Sequence, residues 1–175
     1  MQQENPTRDY AKAHPHEYLA TFPSRLPLQI RFSDVDRMGH VNNSVHQQFF
    51  DLGRLAYFDG LLTPTPDWGG TVVILAHLDV DFLQPLLLSS EANIFTRTLT
   101  DSFAEKSFVM EQAIGAPDGS CVYSLSRSLM VGYDGGALRS TALPEAWVTQ
   151  IKDYEVHTPD ERVSDKRSVM PDGRR

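Results

Sequence analysis

Between Ser33 and Arg54 the chain reads "SDVDRMGHVNNSVHQQFFDLGR", with Asp34, Asp36, Gly39, His40, Asn42 and Asn43 crowded ahead of an apolar-periodic run. An acid on a loop that leads into a helix stands beside free backbone N–H groups and the positive end of the helix dipole, where developing negative charge is favoured. Such a pair suits attack on an activated acyl carbon: the carboxylate positions water or attacks directly, and the N–H groups hold the tetrahedral oxyanion. The same residues also admit a purely structural role in which Asp34 and Asp36 cap a turn. Calcium is excluded, because an EF-hand loop needs an oxygen ligand at its fifth position and a bidentate glutamate at its twelfth. Counted from Asp34, those positions hold Met38 and Val45. The chain contains no G-x-S-x-G elbow, no G-x-x-x-x-G-K-S/T phosphate loop and no H-E-x-x-H zinc helix, so serine hydrolase, nucleotidase and zincin readings lose their main support.

The elements that must position this stretch are visible in the periodicity around it. Leu26, Leu28, Ile30 and Phe32 alternate with Pro27, Gln29 and Arg31, the two-residue period of a half-buried strand that delivers Asp34 and Asp36 at its end. Val45, Phe49, Leu52 and Ala56, widened by Phe50, Gly53 and Tyr57, form a helical stripe that stops before Gly60, with Asn42 or Asn43 as N-cap. Gly53 weakens that helix by roughly 1 kcal/mol relative to alanine, so its benefit is close packing against a sheet or a neighbouring subunit.

Four strand-like segments follow, at 71–83, 91–100, 106–114 and 120–133, joined by short turn-rich links that favour an antiparallel meander. In the first of them Ile74, Ala76, Leu78, Val80 and Phe82 fall on one face and His77, Asp79 and Asp81 on the other. A strand, one long helix and four strands make an α+β pattern in which the helix covers one face of the sheet and the other face needs cover from elsewhere. A short helix through Trp147 and Ile151 is expected past Pro144.

Composition sets the outer limits. With 175 residues, 41% hydrophobic and 22% charged, the chain fits one globular domain. Residues 1–24, interrupted by Pro6, Pro15 and Pro23, read as an N-terminal arm with at most a short turn, 25–152 as the domain and 153–175 as a polar tail. His14 and His16 in the arm read as solvated rather than metal-binding. The formal net charge of −7 argues against nucleic-acid or anionic-membrane partners. A single cysteine, Cys121, excludes a disulfide framework and multi-cysteine metal sites and suits a reducing compartment. "MQQENPTRDY" lacks the layout of a secretory signal, and no apolar run approaches the ~20 residues of a membrane span. A soluble, cytoplasmic protein is expected.

The segment "RFSDVDRMGHVNNSVHQQFFDLGRLAYF", followed by "HLDVDFLQPLLL", "EKSFVMEQAI" and "SLSRSLMVGYD", resembles the hotdog-fold acyl-CoA thioesterases of the 4-hydroxybenzoyl-CoA thioesterase-like family. Their usual pattern is D-x-D-x-x-G-H-V-N-N ahead of a long helix, and the resemblance runs from Leu26 to Pro144. It implies a hotdog fold, an antiparallel sheet wrapped around one long helix, and hydrolysis of acyl-CoA or acyl carrier protein thioesters to a carboxylic acid and a free thiol. On this resemblance Asp36 is the nucleophile or general base, Asp34 holds the loop, and the backbone N–H of Asn43 meets the thioester carbonyl.

Gly39, Val41, Asn42 and His46 are the substrate-binding positions implied, with Gly39 permitting a tight approach. His40 orients Asp36, Asn42 or a water, or else anchors the loop. Asp51 stands where the family often has glutamate, a second candidate acid or a solvated helix position, and His46 replaces the family's common tyrosine, changing the pocket wall. The resemblance implies a homodimer or homotetramer with sites at the dimer interface and no metal or redox cofactor. Arg31, Arg54, Arg97, Lys106 and Arg127 are the cations considered for phosphate contacts. The alternative is a catalytically silent hotdog module that binds an acyl thioester or a protein partner.

Overall fold

Alternating apolar residues and short polar turns build one curved antiparallel sheet, against which the long helix lies. The computed structural model describes residues 6–67 and 69–156. In chain order these form α1 (Pro6–Ala13), α2 (Pro15–Ala20), β1 (Ser24–Leu28), a 3-10 turn (Phe32–Asp34), α3 (Asn43–Phe58), β2 (Thr71–Phe82), β3 (Ala92–Thr98), β4 (Ser107–Gly115), β5 (Val122–Asp134), β6 (Arg139–Ser140) and α4 (Glu145–Val156). The strand order is β1-β3-β4-β5-β2, with β6 a short appendage of β5, and the pairings are antiparallel.

Directly opposed residues in a sheet share a face. The pairs Ile94↔Ile114, Thr96↔Gln112, Phe108↔Met130, Met110↔Ser128 and Gln112↔Ser126 therefore define the face that receives α3. The helix buries His46, Phe49, Phe50, Gly53, Arg54 and Tyr57 against it. This corrects the expected stripe: Leu52 is 49% exposed, Val45 and Ala56 are half-buried, and the buried side is rotated to include a histidine and an arginine. Both polar groups are tolerated because each finds partners on the sheet. Arg54 donates to Gln112 Oε1 at 2.9 Å and Ser128 Oγ at 3.4 Å.

Gly53 is the point of closest approach, since a Cβ there would lie 2.7 Å from Gln112 Nε2 and 2.8 Å from the Ile94 side chain. Gly53→Ala gains helix propensity of about 1 kcal/mol but overpacks this contact, at ~1–3 kcal/mol. The expected result is a net loss of stability, read as a lower denaturant midpoint with an unchanged slope.

The opposite face of the sheet is covered by the chain itself. Ala11, Tyr18, Leu19 and Phe22 form one buried cluster with Phe95, Ala113 and Leu125. Tyr18 and Phe22 meet edge to face, and the Arg97 guanidinium lies 4.6 Å over the Phe22 ring while bonding Glu111 at 2.6 and 3.1 Å. Burial pushes the Tyr18 phenol far up, with Glu111 adding to the effect. The expected arm with at most one short turn is thus two helices carrying core residues. Proline at the start of each helix removes an N–H that would have been unpaired. Ala11, Tyr18, Leu19 and Phe22 keep a helical spacing across the Pro15 break. His14 and His16 are exposed, as read from the sequence.

Other boundaries also shift. β1 stops at Leu28, and Phe32, expected at the inner end of that strand, lies in the 3-10 turn at 83% exposed. β2 contains a bulge at Ala76: the pairing steps from Leu75↔Met130 to His77↔Leu129. The extra residue exchanges the two sides of the strand. Leu78, Val80 and Phe82 share the α3 face, whereas Ile74 pairs with Val131 on the other. α4 inserts Trp147 and Ile151 beside Tyr57, Phe108 and Met110, and its Glu155 accepts from the Tyr57 hydroxyl and, at 2.6 Å, from the Thr98 N–H. A boundary at 152/153 therefore cuts a helix, and the rest of the expected tail, 157–175, lies outside the described residues.

Candidate active site

The loop from Asp36 to His40 is tied into a closed turn. The Asp36 N–H donates to the His40 carbonyl at 2.8 Å and the Gly39 N–H to the Asp36 carbonyl at 3.0 Å. Asp36 Oδ1 accepts the N–H groups of Met38 at 2.8 Å and His40 at 3.2 Å. Asp36 is exposed, and its other oxygen, Oδ2, has no hydrogen-bond partner among the described residues. Asp34 accepts the Arg31 N–H on Oδ2 at 2.7 Å, and its carbonyl accepts the Asn42 N–H at 2.9 Å. Gly39 has φ of 79° and open space around its missing Cβ. The left-handed turn requires a residue without a Cβ there.

Bridges between Val35 and Val41 and between His40 and Leu87, with the Val41 N–H donating to the Leu86 carbonyl at 2.7 Å, fasten the loop to the segment after β2. This fastening places the helix start. Asn42 is the N-cap, its Oδ1 accepting from the Ser44 N–H at 3.1 Å, and its carbonyl accepts from Val45 and His46. The Asn43 N–H, first in the helix, has no partner among the described residues.

Beside Asn43 is a cleft of about 270 Å³ lined by His40, Val41, Asn43 and His46 from the loop and α3, and by Phe82, Gln84 and Leu86 from the end of β2 and beyond. The structure thus brings together His40, Val41, Asn43 and His46. Asp36 and Gly39 sit on the adjoining loop, Asn42 caps the helix, and Asp51 lies elsewhere on α3. Asp51 bonds the Arg54 guanidinium, where burial lowers the arginine's pKa and Asp51 works against that. Arg54 and Arg97 are thereby engaged in internal pairs.

His46 is 3% exposed. Its Nδ1 lies 2.8 Å from Ser124 Oγ and its ring meets Phe82 edge-on, the centroids 5.2 Å apart. Burial pulls the imidazole down to about 4, so the ring is neutral at pH 7. Ser124 lies outside the motif that marks the loop and helix start. Its signal is the run "SLSRS", which sets Ser124, Ser126 and Ser128 at strand spacing on a buried face. Buried hydroxyls at that period call for polar partners opposite.

Other clefts lie outside the His40–Asn43–His46 cleft. One of about 420 Å³ runs between β1 and the outer side of α3, past Leu28 and Leu52. Another, of about 310 Å³, lies on the outer sheet face beside Tyr18, Glu111 and Arg127. Among the described residues no three His, Cys, Asp or Glu side chains gather as a metal site, and no helix is long and apolar enough to cross a membrane.

The fold has relatives among known proteins. A thioesterase of Thermus thermophilus, solved with coenzyme A and zinc, is 32% identical, with a TM-score of 0.66 over 77% of this chain and 96% of that one. A Staphylococcus aureus protein solved in complex with CoA shares the fold at 17% identity, with a TM-score of 0.68 over 77% of this chain and 85% of that one. The Bacillus subtilis (strain 168) protein YsmA, itself uncharacterized, is 27% identical over 82 residues, 47% of this chain. That match spans only 55% of YsmA's length. Residues 30–151 match the model of the thioesterase-like superfamily. With its curled antiparallel sheet and single long helix, the chain is a hotdog-fold member of that superfamily.

Proposed function

We propose that the protein hydrolyses acyl-CoA thioesters to a carboxylic acid and free coenzyme A. The observation that carries this reading is the unpartnered N–H of Asn43, a residue that lines a cleft, just beyond a loop whose Asp36 keeps one carboxylate oxygen free. In this mechanism the thioester carbonyl oxygen accepts from the Asn43 N–H, and Asp36 Oδ2 takes a proton from the attacking water. Alternatively Oδ2 attacks the carbonyl carbon itself, forming an anhydride that water then opens. In both routes a C–O bond forms and the C–S bond breaks; the departing thiolate takes up the proton held by Asp36 in the first route, and in the second the proton released when water opens the anhydride. His40 lines the cleft with Asn43, and its N–H donates to Asp36 Oδ1, so it links the two groups. An acyl carrier protein thioester presents the same reacting atoms and is the second substrate to test.

The bonds from Met38 and His40 to Asp36 Oδ1 give that acid a structural task as well. This favours, as a second reading, a module that binds an acyl thioester without cleaving it. A panel of short, long and aromatic acyl-CoAs and an acyl carrier protein thioester, followed with a thiol reagent, separates the two. Thiol release above the buffer blank supports the enzyme. Binding with no release on any substrate supports the silent module.

The partner subunit in this proposal is a second copy docked at β2. β2 is an outermost strand of the sheet, and Leu75, Phe82, Leu87, Leu88 and Leu129 at and around it are exposed. A long strand edge with apolar neighbours is a template for pairing. Light scattering is expected to give a dimer or a larger even assembly, and specific activity is expected to fall on dilution. A monomer that is fully active at all concentrations would remove the shared-site model.

A further inference from the structure

We propose that His46, oriented by Ser124, is a specificity-determining residue that selects acyl groups carrying a hydroxyl close to the thioester. The inference rests on the thioesterase reading above and names its substrate class. His46 lies three residues beyond Asn43 on α3, a rise of about 4.5 Å, and both line the same cleft. Its Nδ1 is taken by Ser124 Oγ at 2.8 Å. Its Nε2 has no hydrogen-bond partner among the described residues, yet it is not among the fully enclosed unpaired atoms. Because His46 lines the cleft, we assign that nitrogen to the cleft side. Phe82 stands perpendicular to the ring and restrains its plane.

A neutral imidazole offers one N–H and one lone pair. If the Ser124 hydroxyl donates to Nδ1, Nε2 presents an N–H; if Nδ1 donates to Ser124, Nε2 presents a lone pair. A hydroxyl serves either tautomer, because it both accepts and donates. A methylene serves neither and leaves a desolvated nitrogen unpaired, which costs about 1–3 kcal/mol. The discrimination expected is therefore roughly 5-fold to 150-fold in favour of the hydroxylated substrate. Since one helical turn separates Nε2's residue from the N–H that faces the carbonyl, the hydroxyl belongs on the first few carbons of the acyl group.

The test compares butyryl-CoA with 3-hydroxybutyryl-CoA, and hexanoyl-CoA with 3-hydroxyhexanoyl-CoA, in thiol release and in calorimetric binding by the full chain. Wild type is expected to prefer the hydroxylated member of each pair by roughly 5-fold or more in kcat/KM. His46→Phe should erase or invert the preference, and His46→Gln should restore part of it. Ser124→Ala should weaken the preference by freeing the ring. Thermal melting of each variant separates misfolding from lost selectivity. Equal kcat/KM within both pairs overturns the inference while leaving the thioesterase reading intact. Absence of thiol release from any substrate overturns that reading instead. The ratio of dissociation constants then decides the inference, with equal binding in wild type counting against it and a preference lost in His46→Phe supporting it.

Discussion

Asp36→Asn is expected to lower single-turnover hydrolysis by ~10²–10⁴-fold, the usual worth of a general acid or base, and by more if the carboxylate is the nucleophile. The substitution is well matched to the loop. The amide keeps a carbonyl oxygen that can accept from Met38 and His40 as Oδ1 now does, while the free oxygen becomes an NH₂ group without basicity. Loop shape and acyl-CoA binding should therefore survive, and the variant should hold its substrate intact. Asp34→Asn provides the contrast, since Asp34 Oδ2 closes the turn on the Arg31 N–H. Its effect should fall on thermal stability more than on the chemical step. Single-turnover rates, acyl-CoA binding and melting curves for both variants and Asp51→Asn decide the matter. Near-wild-type turnover in Asp36→Asn would sink the assignment, and turnover lost only in Asp51→Asn would move the acid onto the helix.

Removal of residues 1–22 is the second large effect. It deletes Tyr18, Leu19 and Phe22 and uncovers Phe95, Ala113 and Leu125. Fully burying a large apolar side chain contributes about 1.5–3 kcal/mol, so three of them approach the ~5–15 kcal/mol that holds a typical domain together. The shortened chain, although it still contains the whole matched segment 30–151, is expected to be insoluble or to melt more than ~10 °C lower. Melting and size-exclusion profiles measure this directly. A soluble truncated protein with an unchanged melting temperature would show that the two helices contribute nothing to the core.

Which of these features could be read from the sequence follows from the range of the interactions that set them. The α3 period, its Asn42 cap and the strand alternations depend on neighbours within a few residues, and the D-x-D-x-x-G-H-V-N-N order marks where loop meets helix. The rotation of the buried helix face depends on Ser124, Gln112 and Ser128, which lie far along the chain from His46 and Arg54. Hydropathy places those two side chains outside, and distant partners bring them in. α1 and α2 were hidden by Pro15, which breaks the periodicity although the apolar residues on either side share one surface. At Gly39 the positive φ, with no crowding at its Cβ, is a backbone fact that residue type alone does not separate from close packing.

The bulge at Ala76 gives β2 something like a reading frame. Side chains alternate with a period of two, so the single extra residue keeps Leu78, Val80 and Phe82 toward the helix and His77, Asp79 and Asp81 away from it. Ala76 itself is exposed, and most side chains could stand there at little cost. Deleting it is another matter. Either the distal half of the strand would turn over, presenting two aspartates and a histidine to the core and withdrawing Phe82 from His46, or the proximal half would turn over in compensation. Among descendants of this sequence, that position can therefore drift freely in identity while its existence is held fixed, because the strand counts its residues more strictly than it reads them.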